Sequence, residues 1–408
     1  MKVALPRLPV KRVLVDSGAF DPWLVAALVA LICLGLVMVT SASLPIATRF
    51  HGDGLYYLKR QLLVMVAGAG AAAVLFRFGL ERLMQHSKLV LCIALILLVA
   101  VYVPGLGRRV NGSLRWVNLG LFTIQASEFA KLAFIVYLAG YVVRFRDQLE
   151  SSFKGFIKPL VVLFIFGALL MGEPDMGTTV VLAGTFAAML WLGGLPVWIV
   201  GLFAIAGSAF MALLVKIEPY RMTRFVTYLD PWVDERGKGY QLTQSLIAFG
   251  RGEWWGVGLG NSIQKHFYLP EVHTDFIFAV IGEELGLAGV LCVLSLFLFL
   301  VWRLFRVGAR AEAAGLSYGA NLVYGFAALI GIEAFINMGV SMGALPTKGL
   351  TLPFISYGNN SNFILCCAFG LIFRVAWDSR PQRESAAKAP MPASPPMESS
   401  QVPEHVHA

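Results

Sequence analysis

Asp275 is the residue whose position most directly suggests chemistry. It ends a hydrophilic stretch, His273-Thr274-Asp275, that leads straight into a long apolar run. A carboxylate there can cap the following helix by accepting hydrogen bonds from its free N–H groups. In a cleft that excludes water, the same carboxylate would have a raised pKa and could act as a general base. Position alone favours the cap, and both interpretations remain open at this point.

Other ionisable residues lie inside the apolar runs themselves. Because a charge at membrane depth is costly, each is a candidate for function. Glu283 and Glu284 lie in the same run as Asp275, but Glu283 is about 12 Å further along a helix and cannot share a proton with Asp275 directly. A hydrogen-bond anchor between helices explains these two equally well. Glu128 and Lys131, three residues apart, can neutralise each other on one helix face. The remaining polar candidates are Glu173, Asp175, Glu333 and Asn337.

The composition indicates where these residues must sit. Of 408 residues, 58% are hydrophobic and 14% are charged, and the mean hydropathy is +0.72. Soluble domains are about 45–50% apolar and about 25% charged. A water-soluble protein of this composition would expose large apolar patches. Lipid must therefore solvate most of the chain.

Ten segments are long and apolar enough, or nearly so, to cross a bilayer as helices of about 20 residues. They lie around residues 23–42, 61–79, 89–105, 127–143, 159–173, 176–194, 196–216, 274–302, 318–341 and 357–376. Lys and Arg are more frequent in the segments that would be cytoplasmic if both termini are inside, which predicts that orientation. The expected fold is an all-α polytopic membrane protein with about ten transmembrane helices, N-in and C-in.

The chain divides into three predicted parts. Residues 1–22 form a cytoplasmic N-terminal segment without a cleavable signal peptide. Residues 23–376 form the transmembrane domain, with one large outside loop at about 217–273 between the seventh and eighth helices. Residues 377–408 are rich in Pro, Ser and Ala and predict a disordered cytoplasmic tail. The five cysteines fall within apolar runs without disulfide or metal-ligand spacing, so packing explains them.

Basic residues in the outside loops need a reason, because such loops normally carry few of them. A phosphate-bearing ligand is one reason, and lipid headgroup contact or chance are the others. Guanidinium groups bind phosphate oxygens in bidentate fashion, and lysine supplies a point charge. The outside cations that could match a phosphate are Arg115, Arg221, Arg224 and Lys265.

Several longer motifs carry a resemblance to a known family. They are YLPEVHTDFIFAVIGEELG (268–286), GYQLTQSLIAFGRGEWWGVGLGNSIQK (239–265), EPDMGTT (173–179) and PTKGLTLPFISYG (346–358), with NGSLRW (111–116) and SEFAKL (127–132) as shorter supports. On these motifs the chain resembles the SEDS family (shape, elongation, division and sporulation) from residue 21 to 374, and its division branch more than its elongation branch. Two positions depart from the family pattern: Ala126 replaces a usual proline, and Asn359-Asn360-Ser361-Asn362 replaces a Gly-Ser-Ser stretch.

The resemblance implies a peptidoglycan glycosyltransferase that polymerises lipid II at the periplasmic face of the bacterial inner membrane, at the division septum. The family's essential loop aspartate maps onto Asp275, which would be the general base for the acceptor hydroxyl. The outside cations, Lys131 or a divalent cation (Mg²⁺ or Mn²⁺) would stabilise the departing undecaprenyl pyrophosphate. No covalently bound cofactor is expected. The implied partners are the growing glycan chain, a class B penicillin-binding protein that acts as transpeptidase, and other divisome membrane proteins, with no nucleic acid.

Two other functions stay open on the sequence. A lipid II transporter, or flippase, would need polar groups along a path across the bilayer, whereas the polar residues here are concentrated on the outside. A non-enzymatic divisome scaffold would need no carboxylate at Asp275 beyond capping. Replacing Asp275 with Asn separates the last possibility from catalysis, because an amide can cap a helix but cannot act as a base.

Overall fold

The computed structural model describes residues 21–110, 113–118, 120, 123–151, 154–217, 222, 228–237 and 239–380. The predicted disordered tail lies outside the described residues from position 381 onward, and so does the N-terminal segment before Asp21. Two of the predicted phosphate ligands, Arg221 and Arg224, also lie outside them.

Over the described ranges the chain folds into thirteen helices. They are α1 Pro22–His51, α2 Tyr56–Arg77, α3 Leu80–Gln85, α4 Ser87–Ala100, α5 Ala126–Arg144, α6 Arg146–Ser151, α7 Lys154–Gly172, α8 Met176–Leu192, α9 Val197–Ile217, α10 Tyr240–Gly252, α11 Ile277–Ala313, α12 Ser317–Ser341 and α13 Asn359–Asp378. Seven of these are long and apolar enough to cross a membrane, namely α1, α2, α5, α7, α11, α12 and α13, while α4, α8 and α9 provide shorter apolar segments. The ten predicted segments coincide with these ten helices. A polytopic helical fold is thus confirmed, and the number and direction of the crossings stay predictions.

The expectation of a purely α-helical chain was wrong between α4 and α5. Strands β1 (Gly107–Val110), β2 (Ser113–Asn118) and β3 (Thr123–Gln125) form an antiparallel sheet in the order β1-β2-β3. Trp116 on β2 pairs with Arg108 on one side and with Gln125 on the other. The sequence did carry a signal for this sheet, because the motif NGSLRW (111–116) begins with Asn-Gly, the dipeptide most typical of tight hairpins. A search for long apolar runs passes over strands this short.

The interior of the fold is centred on α5. Phe134, Ile135 and Leu138 on this helix are fully buried, and α5 packs against α4, α8, α12 and α13. By contrast, Leu63 and Val66 on α2 are 70% and 71% exposed. Large apolar side chains displayed in this way are typical of a lipid-facing surface. α5 is therefore a buried central helix, and β2 of the sheet contacts it.

One predicted span is broken near its start. Within α11, Gly286 has φ 65° and ψ −163°, a backbone conformation open essentially only to glycine. The loop before α11 supplies the hydrogen bonds that the break removes: Val257 N–H donates to the Glu283 carbonyl at 3.0 Å, and Leu287 N–H donates to the Glu253 carbonyl at 2.9 Å. The segment 253–257 is thereby fixed to α11.

Candidate active site

Asp275 lies two residues before the first residue of α11. The position that caps this helix is Phe276, which offers no side-chain cap. Among the described residues, the Asp275 carboxylate accepts no hydrogen bond from the first turn of α11. Its backbone carbonyl is instead the hydrogen-bonded group, accepting from Asn337 Nδ2 at 2.9 Å. The geometry therefore does not support the capping interpretation and leaves the carboxylate available.

The surroundings of Asp275 change its acidity. Partial burial, the largest cause, together with the negative charge of Glu271, raises the pKa of Asp275 from an ordinary 3.8 to about 7. Asp175 raises the pKa further, while the positive charge of Arg115 lowers it. A carboxyl group that titrates near neutral pH suits a general base, because the unprotonated form is available and still attracts a proton well.

The segment 346–358 runs directly beside this carboxylate. A Cβ atom at Gly349 would lie 2.8 Å from Asp275 Oδ2, so a larger residue there would displace the carboxylate. The neighbouring Lys348 extends along α8, where its Nζ lies 2.8 Å from the sulfur of Met176. Lys348 was not among the predicted phosphate ligands. The signal available was a basic residue adjoining glycine in one of the family-like motifs.

Arg115 lies at the same site. From β2 its Nη2 donates to the carbonyl of Pro174 at 2.8 Å and lies 3.9 Å from Asp175 Oδ1. Asp175 itself caps α8, because Thr178 N–H and Thr178 Oγ1 donate to its carboxylate at 3.3 and 2.9 Å. Since both residues influence the acidity of Asp275, the structure brings together three of the predicted site residues: Arg115, Asp175 and Asp275.

Glu173 adjoins this group but is fully buried. Neither of its carboxylate oxygens has a hydrogen-bond partner within the described ranges. Burial, and next the negative charge of Asp175, raise the pKa of Glu173 to about 8. The side chain is therefore mainly neutral at pH 7, and its contribution to the charge of the site is small.

The sequence matches one family along almost all of the described region. The match to the cell cycle protein family of FtsW, RodA and SpoVE covers residues 22–381. This chain belongs to the FtsW/RodA/SpoVE family. The SEDS resemblance is thereby confirmed.

Individual relatives of this family cover most of the chain. It is 48% identical over 357 residues to the probable peptidoglycan glycosyltransferase FtsW of Pseudomonas fluorescens, covering 88% of each protein. It is 50% identical over 364 residues to the protein of the same name from Alcanivorax borkumensis, covering 88% of this chain and 94% of that one. A chain of a solved peptidoglycan synthase complex that coordinates polymerization and crosslinking superposes with a TM-score of 0.73 at 29% identity, covering 88% and 98% of the two chains.

In this FtsW/RodA/SpoVE family member, Lys131 is part of a buried ion cluster. The salt bridge expected between Glu128 and Lys131 is present at 2.9 Å, and Glu333 from α12 also bonds Lys131. Lys131 is 2% exposed. Because both neighbouring carboxylates already neutralise the ammonium group, this placement does not support the predicted role in pyrophosphate binding. It joins α5 to α12 instead.

Glu283, Glu284 and Lys265 form a second buried cluster. Lys265 Nζ donates to Glu284 Oε1 at 2.9 Å and to Ser41 Oγ on α1 at 3.1 Å. Glu283 accepts from Arg251 Nη1 at 3.0 Å. These bonds match the hydrogen-bond anchor considered for the two glutamates. Lys265, 2% exposed and already paired, is poorly placed for a phosphate ligand.

The described residues contain no cluster of three or more His, Cys, Asp or Glu side chains that could hold a metal ion. Asp175 and Asp275 are the two site carboxylates that could each contribute an oxygen ligand. Two protein oxygens, completed by water and substrate phosphates, are the usual environment of Mg²⁺. A divalent cation at this site therefore stays a prediction.

Proposed function

We propose that this chain is a peptidoglycan glycosyltransferase that polymerises lipid II at the periplasmic face of the bacterial inner membrane, at the division septum. The observation that carries the proposal is the Asp275 carboxyl group, which titrates near pH 7 and accepts no hydrogen bond from the helix it precedes. The relatives named as probable peptidoglycan glycosyltransferases support the assignment of the reaction. N-in and C-in topology, predicted from the loop charges, is part of the proposal.

In the proposed reaction Asp275 takes the proton from the acceptor sugar hydroxyl. That oxygen attacks the anomeric carbon of the donor, and the bond from this carbon to the pyrophosphate oxygen breaks. The pyrophosphate leaves as a stable anion and needs no proton, so one carboxylate suffices for a single-step inversion. Asp275 then releases its proton to water. A base of this kind contributes roughly 10²- to 10⁴-fold to the rate.

Arg115 is the cation best placed to stabilise the leaving pyrophosphate. One side of its guanidinium group is fixed by the Pro174 carbonyl, and within the described residues its Nη1 makes no hydrogen bond. A guanidinium held in this way has donors left for phosphate oxygens. Lys348 is the second cation of the described site, and Arg221, Arg224 or a divalent cation would add to this charge.

The proposal includes a class B penicillin-binding protein as the transpeptidase partner, together with other divisome membrane proteins. The solved chain with the TM-score of 0.73 is part of a synthase complex that combines polymerization with crosslinking, which supports a partner of this type. The growing glycan chain would be the acceptor.

Asp275→Asn tests the catalytic role. The variant, purified with the partner transpeptidase and supplied with lipid II, should lose about 10²- to 10⁴-fold of its polymerisation rate, while partner binding and thermal unfolding persist. Asp53→Asn is the matched control, because Asp53 is an exposed outer-loop carboxylate paired with Lys59. Normal glycan chains from Asp275→Asn would contradict the catalytic role of Asp275.

The two alternative functions give different results. A scaffold would tolerate the Asp275→Asn change, and a flippase would be recognised by movement of fluorescent lipid II across the membrane of proteoliposomes without polymerisation.

A further inference from the structure

We infer that Asn337 is a positioning residue for the proposed reaction. It holds Asp275 in a fixed position relative to the segment 346–358, which runs beside the Asp275 carboxylate. The inference rests on the proposed function only in that Asp275 is the reacting carboxylate. Asn337 lies on α12 and is 1% exposed. It would act through Asp275 without contacting substrate.

The segment before α11 is held along its backbone by residues distant in sequence. The His273 carbonyl accepts the Tyr357 N–H at 2.9 Å. The next carbonyl, of Thr274, accepts the Ser356 hydroxyl at 2.6 Å. With the Asp275 carbonyl bonded to α12, three consecutive carbonyls each have a separate donor. A backbone bound at three successive carbonyls holds the Asp275 Cα, and so the starting point of its side chain, in one place.

The Asn337 amide makes the bond that matters most, because it joins two parts of the site. Its Nδ2 donates to the Asp275 carbonyl at 2.9 Å and to the Leu350 carbonyl at 2.5 Å. The orientation of this amide is fixed, since the opposite one would set Oδ1 against two carbonyl oxygens. Gly349, which precedes Leu350, is the residue whose backbone approaches the Asp275 carboxylate. The Asn337 side chain thus holds both the backbone of Asp275 and the backbone of the segment 346–358 beside it.

The helix itself fixes Asn337 in turn. Ser341 Oγ donates to the Asn337 carbonyl at 3.0 Å, and Ser245 Oγ from α10 donates to the Ser341 carbonyl at 2.7 Å. Replacing Ser245 removes a buried hydrogen bond at the same end of the same helix but touches neither Asp275 nor Leu350. This residue therefore provides a matched control for loss of a hydrogen bond.

Asn337→Ala is the first test, with two measurements. The rate of lipid II polymerisation should fall up to about 10²-fold, the cost of misplacing a reacting group by about 1 Å. The second measurement needs no turnover: labelling of Asp275 by a hydrophobic carbodiimide, which reacts with protonated carboxyl groups, is followed by mass spectrometry across pH. Loss of the two Asn337 hydrogen bonds lets water reach the Asp275 carboxylate, which lowers its pKa. The midpoints of the labelling curve and of the acid limb of the rate should therefore both move to lower pH.

The charged groups that face Asp275 must stay constant for this comparison. Those that act on its acidity are Glu271 on its own segment, Arg115 on β2 and Asp175 before α8. The Nζ of Lys348, the residue before Gly349, lies against the sulfur of Met176. Asn337→Ala changes none of them, so a shifted midpoint reports movement or solvation of Asp275. A variant that lost only stability would yield less folded protein with both midpoints unchanged.

Ser245→Ala should leave both midpoints where the native protein has them. Ser356→Ala, which frees the Thr274 carbonyl, should shift them in the same direction by less, and it provides the test if Asn337→Ala does not fold. Unshifted midpoints in folded Asn337→Ala, or in folded Ser356→Ala in its place, would overturn the inference. The variant's labelling curve could also shift although neither the variant nor the native protein makes glycan. That result would support the positioning role and would count against the proposed function.

Discussion

Asp275 and Glu284 lie nine positions apart in sequence and occupy opposite surroundings. Glu284 is fully buried and is saturated with donors: Ser41 Oγ lies 2.8 Å away and Lys265 Nζ lies 2.9 Å away. The Asp275 carboxylate is only partly buried and has no comparable donor among the described residues. Glu284 is thereby occupied as a structural acceptor. Burial without such donors raises the pKa of Asp275.

Asp275 and Glu284 differ in the way expected of a proposed reactive acid and a structural acid in a membrane protein. Both residues satisfy the rule that an ionisable group near the membrane is a candidate for function. The two differ in burial and in the supply of hydrogen-bond donors. The same test places Glu128 and Glu333 with the structural acids, because both bond Lys131.

Glu284→Gln should give the largest loss of stability. It removes the negative charge that neutralises Lys265 and leaves a buried ammonium group without its partner, which typically costs about 3–5 kcal/mol. Thermal unfolding of the detergent-purified protein measures the loss. Glu150→Gln is the control, because its salt bridge with Arg146 is exposed and such pairs contribute only about 0.3–0.5 kcal/mol. Equal losses in the two variants would remove the distinction between the acids.

Gly286→Ala should have the next largest effect. The conformation of Gly286 costs other residues about 1–3 kcal/mol, and a Cβ there would lie 2.4 Å from the Gly256 nitrogen. The substitution should loosen the outer loop that ends at Asp275. Gly260→Ala separates the strain of a positive φ from the clash with neighbouring backbone. Gly260 also has a positive φ (85°), but no atom lies within 4 Å of an added Cβ there. The comparison is made by thermal unfolding and by protease cleavage of the loop.

The smallest predicted effect is the pH dependence that the Asp275 carboxyl group gives to the free energy of unfolding. The folded pKa of about 7 lies above the ordinary value of 3.8, so the folded state binds this proton more tightly than the unfolded state does. Ionisation therefore lowers stability as the pH rises from about 4, and the loss is complete above pH 7. Asp275→Asn should raise the free energy of unfolding at pH 8 by on the order of 1 kcal/mol after allowance for solvent screening. The gain should shrink toward pH 4, and a constant gain would argue against a raised pKa.

Local patterns in the sequence were sufficient for several features. Apolar runs identified the ten apolar helices of the described ranges because a helix that crosses lipid is apolar over most of its length. The pair Glu128 and Lys131 was predictable because residues three apart face each other on a helix. The short sheet and the break at Gly286 were missed, since neither interrupts the apolar composition for long enough.

The sequence by itself thus determined the helical membrane fold, the family and the place of Asp275 at the end of a long loop. Only the tertiary structure decided which charges remain available there. Ser41 reaches Glu284 across 243 positions of sequence, and Glu333 reaches Lys131 across 202. No local pattern encodes such contacts. Because a carboxylate's basicity depends on the donors that surround it, the choice between base and anchor is made by the packing of distant helices.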